Sequence, residues 1–138
     1  MLRNLSAKLK FIAVLIAQTV AASVNSTGVD CADFGSMLFL INVGSFSFTG
    51  TNKITVKLQV SDDNTNWSDA AAEDMYVIEG AAPTYIVLDA TGEDSKVYAL
   101  EYRGTHRYAR VALVVGGTVS VPVAITSVGG YSELMPPL

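Results

Sequence analysis

Charge is what this chain has least of. Lys, Arg, Asp and Glu make up 16% of its 138 residues, against a usual share of about 25%. A domain of this size has a high ratio of surface to volume, and ordinarily clothes that surface in charge. The shortfall has two readings: an unusually apolar monomer, or a body partly covered by other chains in its working state. The second is the expectation. Cysteine is nearly absent as well. Cys31 stands alone, which excludes an internal disulfide and any thiol pair for a metal or redox motif, and it reads as a small buried apolar residue. His106 is the one histidine, so zinc lacks ligands and a Ser-His-Asp site would have a single candidate base. No nucleophile elbow or oxyanion loop accompanies it. A surface-turn histidine is the reading, and neither enzyme activity nor a cofactor is expected.

The positive charge is uneven. Residues 1–10 hold Arg3, Lys8 and Lys10 and no acid, while the whole chain carries a formal −4. A basic start on an acidic body suits docking to an acidic surface. Three cations are too few for the many phosphate contacts of a nucleic-acid binder, and the rest of the chain has no basic stripe with interleaved aromatics. Direct nucleic-acid binding is not expected.

What the chain does have is alternation. In Lys53–Val60, Ile54, Val56, Leu58 and Val60 alternate with Thr55, Lys57 and Gln59, so four apolar side chains share one face of a half-buried strand. Met37–Val43, MLFLINV, is almost continuously apolar and reads as a strand covered on both faces. Gly44–Asn52, with Phe46 and Phe48, reads as a strand end and hairpin loop. Thr84–Leu88, Val97–Tyr102, Tyr108–Val115 and Thr118–Val128 are further strands, separated by turns at Thr91–Asp94, Arg103–Thr105 and Gly116-Gly117. Ala70–Asp74 is long enough for one helical turn. The sum is an all-β protein, an antiparallel sandwich or jelly roll of about seven or eight strands. The body is expected over residues 29–138, preceded by an arm over residues 1–28 that ends in the turn Asn25-Ser26-Thr27-Gly28.

The arm has two readings. A basic start, the apolar run Phe11–Ala17 and the small residues around Val20-Ala21-Ala22 resemble a secretory leader. Gln18 and Thr19 interrupt that run, which is too short to cross a bilayer at about 20 residues, so no membrane is expected. In the second reading, Leu5, Leu9, Ile12 and Ile16 lie along one side of a helix or, given the β-friendly residues between them, in an extended segment. Either form needs something to lie on.

Ser61-Asp62-Asp63-Asn64-Thr65-Asn66-Trp67 is similar to the Asp-box turn of sialidase-type propellers, with Asn64 in the place of a glycine; a structural turn is expected. Asp62, Asn64 and Asn66 have the odd-position spacing of a calcium loop, without its Gly or its closing Glu. The carboxylate pairs Asp62/Asp63, Glu73/Asp74 and Glu93/Asp94 are adjacent in sequence, so on a strand they would diverge. Tyr102, Tyr108, Tyr131, Trp67, Arg103, Arg107 and Arg110 are residue types enriched at interface centres. They would suit a protein-docking face or a sugar-binding one.

Five segments together resemble a family of small virion proteins of tailed bacteriophages, the capsid cement and decoration proteins. They are Asn4-Leu5 with Leu9-Lys10, Asn25–Asp30, Ile41–Gly44, Leu58–Trp67 and Tyr102–Val111. The sequence departs from the resemblance at its end, where Glu133–Leu138 replaces a His-Pro-rich tail. The resemblance implies a non-enzymatic protein on the outer surface of an icosahedral capsid, bridging major capsid protein subunits as a homodimer. Arg3, Leu5, Lys8, Leu9, Lys10, Ile12, Ile16, Tyr102, Arg107 and Met135 are then the partner-interface candidates. The alternatives are an exported carbohydrate-binding sandwich using Trp67 and the tyrosines, or a tail or head-completion protein.

Overall fold

A computed structural model describes residues 9–78, 85–89 and 93–131. Strands run at β1 (Leu9–Val20), β2 (Val24–Asn25), β3 (Val29–Asp30), β4 (Phe34–Val43), β5 (Lys53–Ser61), β6 (Ser68–Asp69), β7 (Met75–Ile78), β8 (Tyr85–Leu88), β9 (Lys96–Tyr102), β10 (Tyr108–Gly116) and β11 (Val121–Tyr131), with a 3-10 turn at Ala72–Asp74. The protein is all-β, and among the described residues every strand pairing is antiparallel. Strand number exceeds the expected seven or eight because two-residue pairings (β2, β3 and β6) and the four-residue β7 leave too short a stretch for periodicity to register.

The strands form two sheets. The first has the order β1-β11-β4-β9-β7; the second is β2-β10-β5-β6, with β3 also on β10 and β8 also on β5. The chain crosses between the sheets repeatedly, and the antiparallel pairs β1·β11, β2·β10, β4·β9 and β5·β8 wrap into the interlocked order of a jelly roll. The Gly44–Asn52 segment is therefore no hairpin. It carries the chain from the first sheet to the second, and the stacked rings of Phe46 and Phe48, 4.2 Å apart, pack against the core beneath it.

The core lies between the sheets. Phe39 and Ile41 from β4, Ile54 and Val56 from β5, Leu100 from β9, Val111 from β10 and Val121 from β11 have no measurable exposure. Each such side chain contributes about 1.5–3 kcal/mol of gross burial energy. Ser26 bridges the break between β2 and β3: its Oγ accepts the Val111 N–H at 2.9 Å, and its own N–H donates to the Val111 carbonyl at 2.8 Å.

The described part of the expected arm belongs to this body. Leu9–Val20 pairs with β11 from Leu9↔Gly130 to Val20↔Val121, with two register shifts near Leu15. Val14, Leu15 and Val20 enter the core, whereas Ile12 and Ile16 stay exposed. The four-three-four apolar spacing is thus not the buried set. The pleat and the irregularity at Val14-Leu15, which turns two successive residues inward, decide what is buried.

Candidate interaction surfaces

The two outer faces of the sandwich differ in chemistry. On the first sheet, register places Phe11, Val128, Leu38, Glu101 and Tyr76 in one outward row, Ala13, Thr126, Leu40 and Ala99 in a second, and Ala124, Asn42 and Val97 in a third. Paired residues share a face, and the opposite parity (Met37, Phe39, Ile41) is the one that enters the core. Phe11 is 61% exposed, Tyr76 54% and Val97 58%; Leu38 and Leu40 are half-buried. One charged side chain, Glu101, stands in these rows, and it is held by the Arg103 guanidinium, which also lies 5.4 Å from the Tyr76 ring. A depression of about 180 Å³, lined by Ala17, Asn42, Gly44, Pro122, Val123 and Ala124, adjoins the third row.

MLFLINV was expected to be covered on both faces. The chain covers only the Met37, Phe39, Ile41 and Val43 side. On the other side Leu38 and Leu40 are half-buried, with the buried Val128 and Ala99 beside them in the sheet. Such a five-strand apolar face is the kind of surface that marks an interaction site.

The second sheet presents a polar face. Arg110 donates to Gln59 Oε1 through Nε at 3.0 Å and Nη2 at 2.8 Å, and lies 4.4 Å from the Trp67 ring. Gln59 in turn donates to Asp69 at 3.2 Å, and the Lys57 ammonium reaches the other Asp69 oxygen at 3.5 Å. Trp67 is therefore no open platform for a sugar ring. One side carries a guanidinium, and its edge sits where a side chain on Gly28 would have to go, 2.9 Å from a Cβ built there.

The Asp-box-like segment is a self-contained turn. Ser61 Oγ accepts from the N–H of Asp63 and Asn64, and Asp63 Oδ1 accepts from the N–H of Thr65 and Asn66 at 2.9 and 2.8 Å. The Asn66 amide donates to Asp63 Oδ2 at 2.7 Å. These donors hold the Asp63 carboxyl well below the usual carboxylate range. Asn64 takes the left-handed conformation at φ 61°, at the position glycine holds in the Asp-box turn.

The sequence-based candidates do not converge. Tyr102 is corrected outright: at 2% exposure it is a core residue. Its ring packs under Gly104 and its hydroxyl accepts the His106 N–H at 2.9 Å, because β9 turns Leu100 and Tyr102 inward, Tyr102 lying between Met37 and Met75 of the neighbouring strands. Arg107 is exposed but engaged, gripping both Asp30 oxygens at 2.9–3.2 Å; this pairing lowers the Asp30 pKa. Lys10 and Ile12 line a cavity of about 320 Å³ beside Asp30, Asp33 and Phe34. Leu9 is half-buried and Ile16 sits exposed on the edge strand. Arg3, Leu5, Lys8 and Met135 lie outside the described residues. Sequence reading missed Phe11, Leu38, Leu40, Tyr76 and Val97; the doubly apolar Met37–Val43 run was the signal that pointed there.

His106 Nδ1 stands 2.9 Å from Asp62 Oδ1, the histidine partly and the aspartate largely in solvent. The Cys31 thiol is pushed up to about 11, chiefly by burial and then by Asp30, so near neutral pH it is a protonated, weakly nucleophilic group. Among the described residues no cluster of three or more His, Cys, Asp or Glu could hold a metal.

No family model, curated protein or solved structure matches this chain. What can be said of its function rests on its own residues.

Proposed function

We propose that this chain is a non-enzymatic virion structural protein, one that cements or decorates the outside of an icosahedral phage capsid by bridging major capsid protein subunits. One observation carries the reading: the outer face of the β1-β11-β4-β9-β7 sheet is apolar across its width, with Phe11, Val97 and Tyr76 more than half exposed. Such a face is a poor match to water and a good one to another protein. An interface of standard size takes about 800 Å² from each partner, and a five-stranded face offers area of that order. One face grips one subunit, so bridging requires two copies. A symmetric homodimer presents two equivalent faces. Many such contacts around a shell add by avidity, even if each is weak. The sequence resemblance to cement and decoration proteins points the same way.

The test is a cryo-EM map of particles that carry the protein, with binding of the purified chain to bare shells as its companion. The expected result is density on the outer shell surface with Leu38 and Leu40 turned toward capsid subunits. Particles without this density, or with that sheet facing solvent, overturn the reading.

A further inference from the structure

A groove of about 470 Å³ crosses the outer face of the second sheet, lined by Lys53, Thr55, Lys57, Asp69, Ala70, Tyr85 and Val87. It exists because one edge of β5 is shared by two short strands. β8 pairs with Ile54–Lys57 and β6 with Gln59-Val60, and between them the Ala70 N–H donates to the Leu58 carbonyl at 2.9 Å. Register sets Tyr85 beside Lys57 and Val87 beside Thr55 on the outward side. Lys53 stands opposite Gly116, where its stem lies over the missing side chain, 3.3 Å from a Cβ built there. Among the described residues the Lys53 ammonium makes no ion pair, and Lys57 shares Asp69 with Gln59.

We propose that this groove binds a carboxylate-bearing sugar residue. Two ammonium groups against one carboxylate make it a positive spot on a chain of formal charge −4, which selects an anionic ligand. A bare inorganic anion would leave most of the volume unfilled. The Tyr85 ring, 43% exposed, offers an apolar surface for the C–H face of a pyranose, while Thr55, Asp69 and the lysines supply both donors and acceptors for ring hydroxyls. An acidic peptide is less well served. The floor of the groove is β5, whose two edges are already paired with β10 and β8, so an extended chain finds no main-chain partners on that floor. The site's role rests on the proposed shell attachment: the two outer faces lie on opposite sides of the sandwich, so covering the first presents the second to the surroundings. Its binding does not rest on it.

The test is a titration of the full chain, free of shells, followed by amide chemical shifts. The probes are the methyl glycoside of glucuronic acid, methyl glucoside as its neutral counterpart, and a short glutamate-rich peptide. The expected result is saturable shifts at Thr55, Lys57, Ala70 and Val87 with the glucuronide, and affinity at least about tenfold weaker for the glucoside. Lys53→Gln and Lys57→Gln should each weaken the glucuronide, with Lys96→Gln as the unaffected control. The proposal is overturned by the absence of saturable shifts, by equal response to the neutral sugar, by binding that survives both lysine changes, or by tighter binding of the peptide, which would assign the groove to an acidic protein. Failure to bind shells leaves these readouts unchanged, so the two proposals fail separately.

Discussion

Asp63 illustrates how much a single exposed side chain can organise. It accepts from two backbone N–H groups, the Asn66 amide and the Ser61 hydroxyl, and its pKa is lowered by those bonds. A carboxyl whose folded-state pKa lies below its unfolded value stabilises the fold above the unfolded value and loses that contribution as pH falls toward the folded one. Asp63→Asn should therefore lower the melting temperature at pH 7, and the gap from the parent should narrow as pH is taken from about 5 to below 3; thermal melts across that range check it. Tyr102 makes the opposite case of a buried residue with one polar duty. Tyr102→Phe should cost about 1 kcal/mol, the loss of one hydrogen bond to His106, whereas Tyr102→Ala should cost about 3–5 kcal/mol through the cavity it leaves, both read from denaturant unfolding. The turn at Ser61–Trp67 was legible because its bonds are local, formed within six residues of sequence. The burial of Tyr102 was not, since an aromatic beside arginines looks the same in a core end as in an interface.

The strand that decides most at the next scale is β1. Its side of the sheet holds Val14, Leu15 and Val20 in the core, and Ser127 Oγ on β11 donates to the Ile12 carbonyl at 3.4 Å. Removing residues 1–20 should then abolish cooperative unfolding, as seen by circular dichroism, rather than yield a folded body that merely fails to bind. A detachable arm would give the reverse. The ambiguity in sequence had a plain cause. Leu9–Val20 is rich in residues that suit helix or strand, and its inward set is shifted by an irregularity in register that no fixed period describes. By contrast β5 was legible throughout, because unbroken alternation admits one face only.

For the molecule as a whole, the two outer faces divide the work. If the apolar face of the first sheet is what docks, binding to shells should change little between 50 and 500 mM salt and carry a negative heat-capacity change, measurable by calorimetry. Docking through the basic first ten residues would instead weaken steeply over that range. Val97→Lys, at an exposed position of that face, should leave stability within about 0.5 kcal/mol while sharply reducing occupancy on shells in a pelleting assay. Both measurements concern a surface assembled from five strands distant in sequence, which is why none of its exposed aromatics was picked out beforehand.

By itself the sequence determined the all-β class, the strand Lys53–Val60 and the turn that follows it, because alternation and turn-forming side chains act over a few residues. Only the tertiary structure decided that Leu9–Val20 is a strand of the body, that Tyr102 is core, and that Met37–Val43 is covered on one side alone. Those outcomes depend on which distant strand lies alongside and which layer lies above. Pairing across more than a hundred residues, as between β1 and β11, leaves no periodic trace in either partner.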